Sequence, residues 1–182
     1  MRKGIAMVTR RKLLLAVAFA PFAREAGAQA LTCGKQTLPQ TEGPFFSPNS
    51  PLRTTLIENG STADRFLLAG RVLSPQCRPV AGALIDLWHS DENGEYDNKG
   101  FRFRGHQFTD KDGWFRFETI VPALYPGRTR HYHVKVQAPG KRVLTTQLYF
   151  PNEPSNRRDG IYRRELEMKV ARSEGRFDFV VD

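Results

Sequence analysis

The feature that most constrains this chain is the regular interruption of strand-like segments by turn-forming residues. Proline, glycine, aspartate and asparagine recur between short apolar or alternating stretches, a pattern typical of strands rather than helices. The clearest stretch, 131–137, places two histidines, a lysine and a glutamine on one face and a tyrosine and two valines on the other. The predicted strands are 66–73, 80–88, 101–109, 113–119, 131–137, 143–150 and 177–181.

Strands of this length and spacing predict an all-β domain, an antiparallel β-sandwich or barrel with little helix. We expect residues 31–66 to be extended and irregular, because four prolines between residues 39 and 51 exclude long helices. Segments 101–109 and 113–119 are predicted to form a hairpin, since the residues between them favour a turn. Residues 160–170 fit a short helix or a strand equally well.

Residues 1–30 are predicted to be an export signal preceding one domain, 31–182. A basic stretch ending in Thr9-Arg10-Arg11-Lys12 is followed by an apolar run, 13–20, and then by small residues. The paired arginines favour the twin-arginine route, with an ordinary secretory signal as the alternative. The run is too short to cross a bilayer, so we expect no membrane insertion after cleavage and a periplasmic or extracellular protein.

The formal net charge of +9 comes largely from this signal. Its removal takes away six of 28 basic and one of 19 acidic residues and leaves a net charge of +4. The remaining lysines and arginines alternate with acidic residues and form no basic stripe. Nucleic-acid binding is therefore not expected.

The chain has two cysteines, Cys33 and Cys77. In an exported protein, a small even number favours a disulfide, which here would join the mature N-terminal tail to the first strands. Two free buried thiols fit the same count.

Two histidines two residues apart on a strand, His131 and His133, can turn both imidazoles toward one metal ion. The nearest oxygen donors of a suitable kind are Tyr96 and Tyr125, and a trivalent cation such as Fe(III) stabilises phenolate oxygen beside imidazole. From spacing alone, the same residues also fit surface histidines and packed aromatic rings. A zinc hydrolase that adds a carboxylate to the two histidines is a further alternative.

Eight stretches of the chain resemble, in order, the motifs of the intradiol ring-cleavage dioxygenases, and in particular of their short exported branch. Together they cover most of the region from Cys33 to Asp159. The stretches are Thr41–Phe46, Cys77–Ala83 continuing to Trp88-His89, Gly94–Tyr96, Phe103–Gly105, Asp112-Gly113, Thr119–Pro122, Tyr125–His133 and Thr146–Phe150.

The resemblance implies a β-sandwich core with non-haem Fe(III) at one edge. By match to the family motifs, the iron ligands are Tyr96, Tyr125, His131 and His133. Tyr125 is then the ligand that substrate displaces, whereas Tyr96 stays bound.

The resemblance also implies roles for residues around the metal. Arg128 is expected to stabilise negative charge that develops on the substrate, and Gln147 to orient Arg128 or the ring. Pro44 is expected to line the substrate pocket. The chain has Phe45 and Phe46 where the family often has two tyrosines, which leaves the choice of substrate open.

The implied reaction is cleavage of a catechol-type aromatic diol by dioxygen, between the two hydroxyl-bearing carbons, to a cis,cis-muconate-type diacid. The expected ligands are thus a small aromatic diol and O₂, and a homo-oligomer is compatible with the sequence. The alternative is a non-enzymatic binding module of the transthyretin-like or carboxypeptidase-regulatory-like kind, which the segment 79–83 and its following strand also resemble.

Overall fold

The computed structural model describes Met1 and residues 34–182. The chain divides into two units, Met1–Ala30 and Leu31–Asp182. Apart from Met1, the first unit lies outside the described residues, and so does Cys33. The export signal and the Cys33–Cys77 disulfide therefore stay predictions. Within the described part of the chain, no helix has the length and apolar character needed to cross a membrane.

The described residues form two β-sheets and two short 3₁₀ helices, Pro154–Arg158 and Arg164–Leu166. The strands are β1 (Arg65–Leu73), β2 (Leu84–Trp88), β3 (Arg104–Phe108), β4 (Trp114–Ile120), β5 (His131–Gln137), β6 (Leu144–Tyr149), β7 (Lys169–Ala171), β8 (Glu174–Arg176) and β9 (Phe179–Val180). One sheet has the order β4-β1-β8-β7, with β9 also paired to β1, and the other has the order β3-β2-β5-β6. The predicted all-β sandwich with an extended N-terminal segment is confirmed.

The core lies between the inner faces of the two sheets. Leu68 and Phe117 from one sheet and Leu87, Tyr132 and Val134 from the other are fully buried in a single apolar cluster. Alternation along β5 sends Tyr132 and Val134 into this core. The same alternation turns the two histidines of β5 to the outer face of the four-stranded sheet.

That outer face carries two polar rows that run across the strands. Directly paired residues place Arg104, Trp88, His133 and Gln147 in one row. The next row consists of His106, Asp86, Lys135 and Thr145.

The extended N-terminal segment covers both rows. The Thr41 carbonyl accepts a hydrogen bond from Gln147 Nε2 at 2.9 Å, and the Ser50 hydroxyl donates to Asp86 at 2.8 Å. His131 and His133, on the outer face of β5, are therefore buried despite their polarity, whereas Lys135 further along the same face is half-buried.

The predicted hairpin of 101–109 and 113–119 is wrong. β3 pairs with β2, whereas β4 forms seven residue pairs with β1 in the other sheet. The turn at 110–113 thus carries the chain from one sheet to the other. The local sequence indicates a turn but not the pairing of the strands on either side of it. The main-chain hydrogen-bond partners of β4 belong to β1, which is distant in the sequence.

Other boundaries also differ from the predictions. The second strand begins at Leu84 rather than 80, because Gly82 adopts a positive φ of 68° in a turn. The third begins at Arg104 rather than 101, since Phe103 has a φ of 52°. Residues 160–170 hold a 3₁₀ helix and the start of β7. The β7–β8 hairpin is not anticipated, and β8 and β9 run parallel to β1.

Candidate metal centre

The two histidines of β5 converge in a buried position. His131 and His133 are each 3% exposed, and their Nε2 atoms lie 3.1 Å apart. The Nδ1–H of His131 donates to the Thr129 carbonyl at 2.6 Å. This hydrogen bond leaves the lone pair on Nε2, which is the arrangement of a histidine that binds a metal.

Tyr96, in the loop after β2, supplies a third donor atom. Its hydroxyl oxygen lies 3.1 Å from His133 Nε2 and 3.5 Å from His131 Nε2. Metal–ligand bonds of about 2.1 Å at right angles separate neighbouring donors by about 3 Å. The three atoms therefore have the spacing of ligands to one shared ion.

Burial determines the protonation of these groups. It lowers the pKa of His131 to about 4, with help from the charge of Arg128, and lowers the pKa of His133 well below its usual range. Both imidazoles are therefore neutral and able to bind a metal. Burial raises the pKa of the Tyr96 hydroxyl, although Arg128 and Arg104 oppose the shift. Ionisation of Tyr96 thus needs a strong neighbouring cation.

The donor set fits a hard trivalent metal better than zinc. Among the described residues, no three histidine, cysteine, aspartate or glutamate side chains are placed to hold a metal ion. The carboxylate that a zinc hydrolase would require beside His131 and His133 does not accompany them, whereas a phenol oxygen does. Imidazole combined with phenolate oxygen suits Fe(III).

Tyr125 lies beside the three-atom cluster, in the loop after β4. Its ring meets the Tyr96 ring edge-on, with centroids 6.0 Å apart, and meets Phe45 in the same way at 5.4 Å. The Tyr125 hydroxyl forms no hydrogen bond with any described residue. The structure thus brings Tyr125 to the site but does not join its hydroxyl to the two imidazoles.

Arg128 and Gln147 form a pair next to the histidines. Arg128 Nη2 donates to Gln147 Oε1 at 2.6 Å, and Gln147 pairs directly with His133 across β5 and β6. Arg128 Nε donates to Asp159 Oδ2 at 2.9 Å, and the same oxygen accepts the Thr129 N–H at 3.0 Å.

Asp159 is a functional residue that the sequence analysis missed. Burial raises the pKa of its carboxyl group, but hydrogen bonds from Thr129, Arg128 and Ile161 outweigh this effect and lower it. The carboxylate therefore stays charged and can hold Arg128 in one orientation. Nothing in the sequence around Asp159 points to this role, because Arg128 and Thr129 lie 31 and 30 residues away in the chain.

The N-terminal segment forms one wall of the site. Pro44 is exposed in a turn, and its neighbours make the contacts: Gly43 lies against the His133 ring, and Phe45 stacks on Tyr96 at 4.4 Å with an interplanar angle of 14°. Phe46 packs against Trp88 at 5.0 Å. The two phenylalanines that depart from the family pattern are thus walls of the site.

Trp88 closes the site from behind. Its ring stacks on His133 at 4.9 Å and 9°. Trp88 belongs to a stretch that resembles the family motifs, but its local sequence does not indicate this contact with His133. An open cavity of about 310 Å³, lined by residues between 91 and 102, includes Tyr96 in its wall.

These features define a class of β-sandwich protein in which an extended N-terminal segment covers a buried histidine–tyrosine cluster on one sheet. A family model described as Dioxygenase matches residues 41–178, which include every residue of that cluster. The chain belongs to the intradiol ring-cleavage dioxygenase family.

Relatives of known activity agree with this assignment. The chain is 30% identical over 151 residues to chlorocatechol 1,2-dioxygenase of Rhodococcus opacus, a match covering 66% of this chain and 59% of the relative. It is 31% identical over 147 residues to hydroxyquinol 1,2-dioxygenase of Rhizobium sp., covering 66% of this chain and 50% of the relative. The matched part thus spans only half to three-fifths of these relatives.

Solved structures share the fold. The dioxygenase domain of a dioxygenase–carbohydrate-binding protein fusion from Streptomyces sp. SirexAA-E is 51% identical, with a TM-score of 0.78 over 81% of this chain and 99% of that domain. The 3-chlorocatechol 1,2-dioxygenase of Rhodococcus opacus 1CP is 28% identical, with a TM-score of 0.72 over 79% of this chain and 71% of that enzyme.

Proposed function

We propose that this chain is a non-haem Fe(III) enzyme that uses dioxygen to open the ring of a catechol-type diol between its two hydroxyl-bearing carbons. The product is a cis,cis-muconate-type diacid. The observation that carries the proposal is the convergence of Tyr96 Oη, His131 Nε2 and His133 Nε2 within 3.1 to 3.5 Å of one another. Family relatives named for chlorocatechol and hydroxyquinol support a diol as substrate.

The residues that hold the metal are Tyr96, Tyr125, His131 and His133. Two phenolates balance part of the charge of a trivalent ion, while the two imidazoles are neutral. When bound, Fe(III) acts as a Lewis acid and electron acceptor that makes the ring of a chelated diol reactive toward dioxygen.

Among these four residues, Tyr125 would be the one suited to be displaced when a diol binds. Its hydroxyl is held by no hydrogen bond from the described residues, and its side chain is only half-buried. Tyr125 Oη can therefore accept a proton from one diol hydroxyl group and move aside. Tyr96 is stacked on Phe45 and touches both imidazoles, so it stays in place.

Arg128 supplies a positive charge that is oriented before substrate binds. Gln147 and Asp159 hold two different nitrogens of its guanidinium group. A fixed cation stabilises negative charge that develops on substrate oxygen or carbon without having to reorient. Phe45, Phe46 and Trp88 restrict access of water to the reacting groups.

The test is the visible absorption spectrum of the purified protein loaded with Fe(III), recorded before and after catechol is added without oxygen. We expect a phenolate-to-iron band that shifts when catechol binds. Tyr96→Phe should weaken the band strongly, whereas Tyr162→Phe, which removes a hydroxyl that donates to Glu167 outside the cluster, should leave it unchanged. A protein that stays colourless after loading would refute the proposed iron site.

The proposal includes export. Residues 1–30 carry the basic, apolar and small-residue pattern of a twin-arginine signal, and we place the mature enzyme in the periplasm or outside the cell. Replacing Arg10 and Arg11 by lysine should retain the protein in the cytoplasm in a fractionation experiment. Normal export of that variant would argue for the ordinary secretory route.

A further inference from the structure

Arg104, the first residue of β3, is a buried cation that no carboxylate of the described residues approaches closely enough to form an ion pair. It is 1% exposed. Its donors go to main-chain oxygens instead. Nη1 donates to the Phe45 carbonyl at 2.6 Å, while Nε and Nη2 donate to the Asp97 carbonyl at 3.0 and 2.7 Å.

The two carbonyls belong to the two segments that meet at the candidate metal centre. Asp97 directly follows Tyr96, and the Phe45 ring stacks on the Tyr96 ring at 4.4 Å. The segments are distant in sequence, and no strand pairing joins them. The guanidinium group of Arg104 is thus a direct polar link between them.

The position of Arg104 is itself tied to the histidines. Arg104 pairs directly with Trp88 across β3 and β2, and Trp88 pairs with His133 across β2 and β5. The Trp88 ring also stacks on the His133 ring at 4.9 Å. The sheet therefore fixes where Arg104 stands relative to His133, and the Arg104 side chain fixes where the loop that carries Tyr96 stands.

We propose that Arg104 is a positioning residue that holds the Tyr96 hydroxyl against the two imidazoles by binding the Phe45 and Asp97 carbonyls at the same time. Its consequence for iron binding depends on the proposed function. The positioning itself does not, because it concerns contacts between protein groups alone.

The chemistry of arginine suits this task. Its planar guanidinium presents five N–H donors in fixed directions, so one group can bind carbonyls from two segments. A lysine ammonium is a compact charge that lacks this fixed fork. A side chain that only filled space here would not need a charge, since burying one is unfavourable unless its hydrogen bonds are satisfied.

Arg53 provides a control. It also donates to main-chain oxygens, through Nε to the Arg104 carbonyl at 3.0 Å and through Nη2 to the Phe101 carbonyl in the loop before β3. It donates to neither the Phe45 nor the Asp97 carbonyl. Arg53→Lys thus disturbs an arginine–carbonyl contact at the main chain of Arg104 but leaves the Arg104 guanidinium group and its two carbonyl partners unchanged.

The experiment compares Arg104→Lys, Arg104→Gln and Arg53→Lys with the wild type in three measurements. These are urea unfolding, the Tyr96 Oη–His133 Nε2 distance in crystal structures of the metal-free proteins, and Fe(III) affinity by competition with a chelator. We expect Tyr96 to move away from His133 in both Arg104 variants and Fe(III) affinity to fall about 10-fold to 100-fold. Arg53→Lys should keep the wild-type distance and affinity.

Each other outcome has a defined meaning. Folded Arg104 variants that keep the wild-type Tyr96 position, or that lose no more affinity than Arg53→Lys, would overturn the proposal. If Arg104→Lys does not fold, Arg104→Gln, which buries no charge, provides the test of the Tyr96 position. If neither variant folds, Arg104 is required for folding and the positioning proposal is overturned. A wild-type protein that does not bind Fe(III) would refute the proposed function. The Tyr96–His133 distance in the metal-free crystal structures would still test whether Arg104 positions Tyr96.

Discussion

The side chains that carry the candidate donor atoms need space beside them, and Gly43 provides it for His133. A Cβ built on Gly43 would lie 3.3 Å from His133 Cε1 and 3.9 Å from Nε2. Its φ of +73° is also one that side chains other than glycine rarely adopt. Gly43 thus lets the main chain of the N-terminal segment lie directly on a candidate ligand.

We expect Gly43→Ala to impair metal binding beyond its effect on stability. Gly140→Ala is the control, since Gly140 has a similar φ of +70° and no heavy atom within 4 Å of the added Cβ. Both variants should lose about 1–2 kcal/mol of unfolding free energy from backbone strain. Only Gly43→Ala should also weaken Fe(III) binding, measured by chelator competition. Equal affinities in the two variants would contradict this account.

Asp159 shows how one carboxylate oxygen can organise two parts of the site. Oδ2 accepts hydrogen bonds from Arg128 Nε and from the Thr129 N–H. The Thr129 carbonyl in turn accepts the Nδ1–H of His131. The Asp159 carboxylate therefore helps to orient Arg128 directly and His131 through the main chain of Thr129.

Asp159→Asn should lower turnover of catechol by about 10-fold to 100-fold, because an amide cannot balance the charge of Arg128 or accept both hydrogen bonds equally well. Glu153→Gln is the control, since Glu153 pairs at 3.0 Å with Arg130, outside the Arg128 contacts. The measurement is steady-state kinetics together with iron content. Unchanged turnover in Asp159→Asn at full iron occupancy would show that Arg128 needs no such support.

At the scale of elements, the outer face of the four-stranded sheet carries ionisable groups that would normally face water. Burial raises the pKa of Asp86 above its ordinary value of 3.8. The Ser50 hydrogen bond and electrostatic interactions with His106, Lys135 and Arg104 oppose this shift but do not cancel it. The N-terminal segment that closes the site therefore also places a carboxyl group in a poorly solvated position.

This burial predicts a pH dependence of stability. The folded state holds the Asp86 proton more tightly than the unfolded state. Its contribution to the unfolding free energy is thus largest below pH 3.8 and is lost as the pH rises through the raised pKa. Asp86→Asn cannot ionise, so its unfolding free energy relative to that of the wild type should increase as the pH rises from about 3.5 to about 7.

Urea unfolding at both ends of this range measures the Asp86 effect. Asp64→Asn, at an exposed carboxyl group, is the control and should show a smaller change relative to the wild type. A difference between Asp86→Asn and the wild type that does not vary with pH would contradict the burial argument.

At the scale of the whole molecule, the site depends on a core that it does not touch. Phe117 of β4 is fully buried between the sheets, in the same apolar cluster as Tyr132 and Val134 of β5. The inner face of β5 is anchored in this core, and its outer face carries the histidines. The packing of the two sheets therefore sets the position of the strand that bears the candidate ligands.

Phe117→Ala should lower the unfolding free energy by about 3–5 kcal/mol, because it removes a buried ring and leaves a cavity. Phe108→Ala is the matched control, since Phe108 is also on a strand but is 55% exposed. Its effect should lie within about 1 kcal/mol of the wild type. Urea denaturation of both variants gives the comparison, and similar losses would show that Phe117 is not part of a tightly packed core.

Several features could be predicted from the sequence because they depend on neighbouring residues. The alternation of 131–137 placed both histidines on one face of a strand, and this arrangement appears in β5. Turn-forming residues divided most of the chain into its short strands, although β7 and β8 were missed. The family motifs implied that Gln147 orients either Arg128 or the substrate ring, and in the structure Arg128 Nη2 donates to Gln147 Oε1 at 2.6 Å.

The sequence by itself determined strands β1 to β6 and β9, though not β7 and β8, and it determined which side chains of a strand share a face, since this follows from backbone geometry over a few residues. Only the tertiary structure decided that β3 and β4 belong to different sheets and that Asp159 holds Arg128. It alone also decided that Arg104 joins Phe45 to Asp97. These contacts bridge separations such as the 59 residues between Phe45 and Arg104, and nothing local encodes which distant group a buried donor will meet. Packing of the two sheets and the N-terminal segment makes that choice, because leaving a buried polar group without a partner is unfavourable and most such groups are paired.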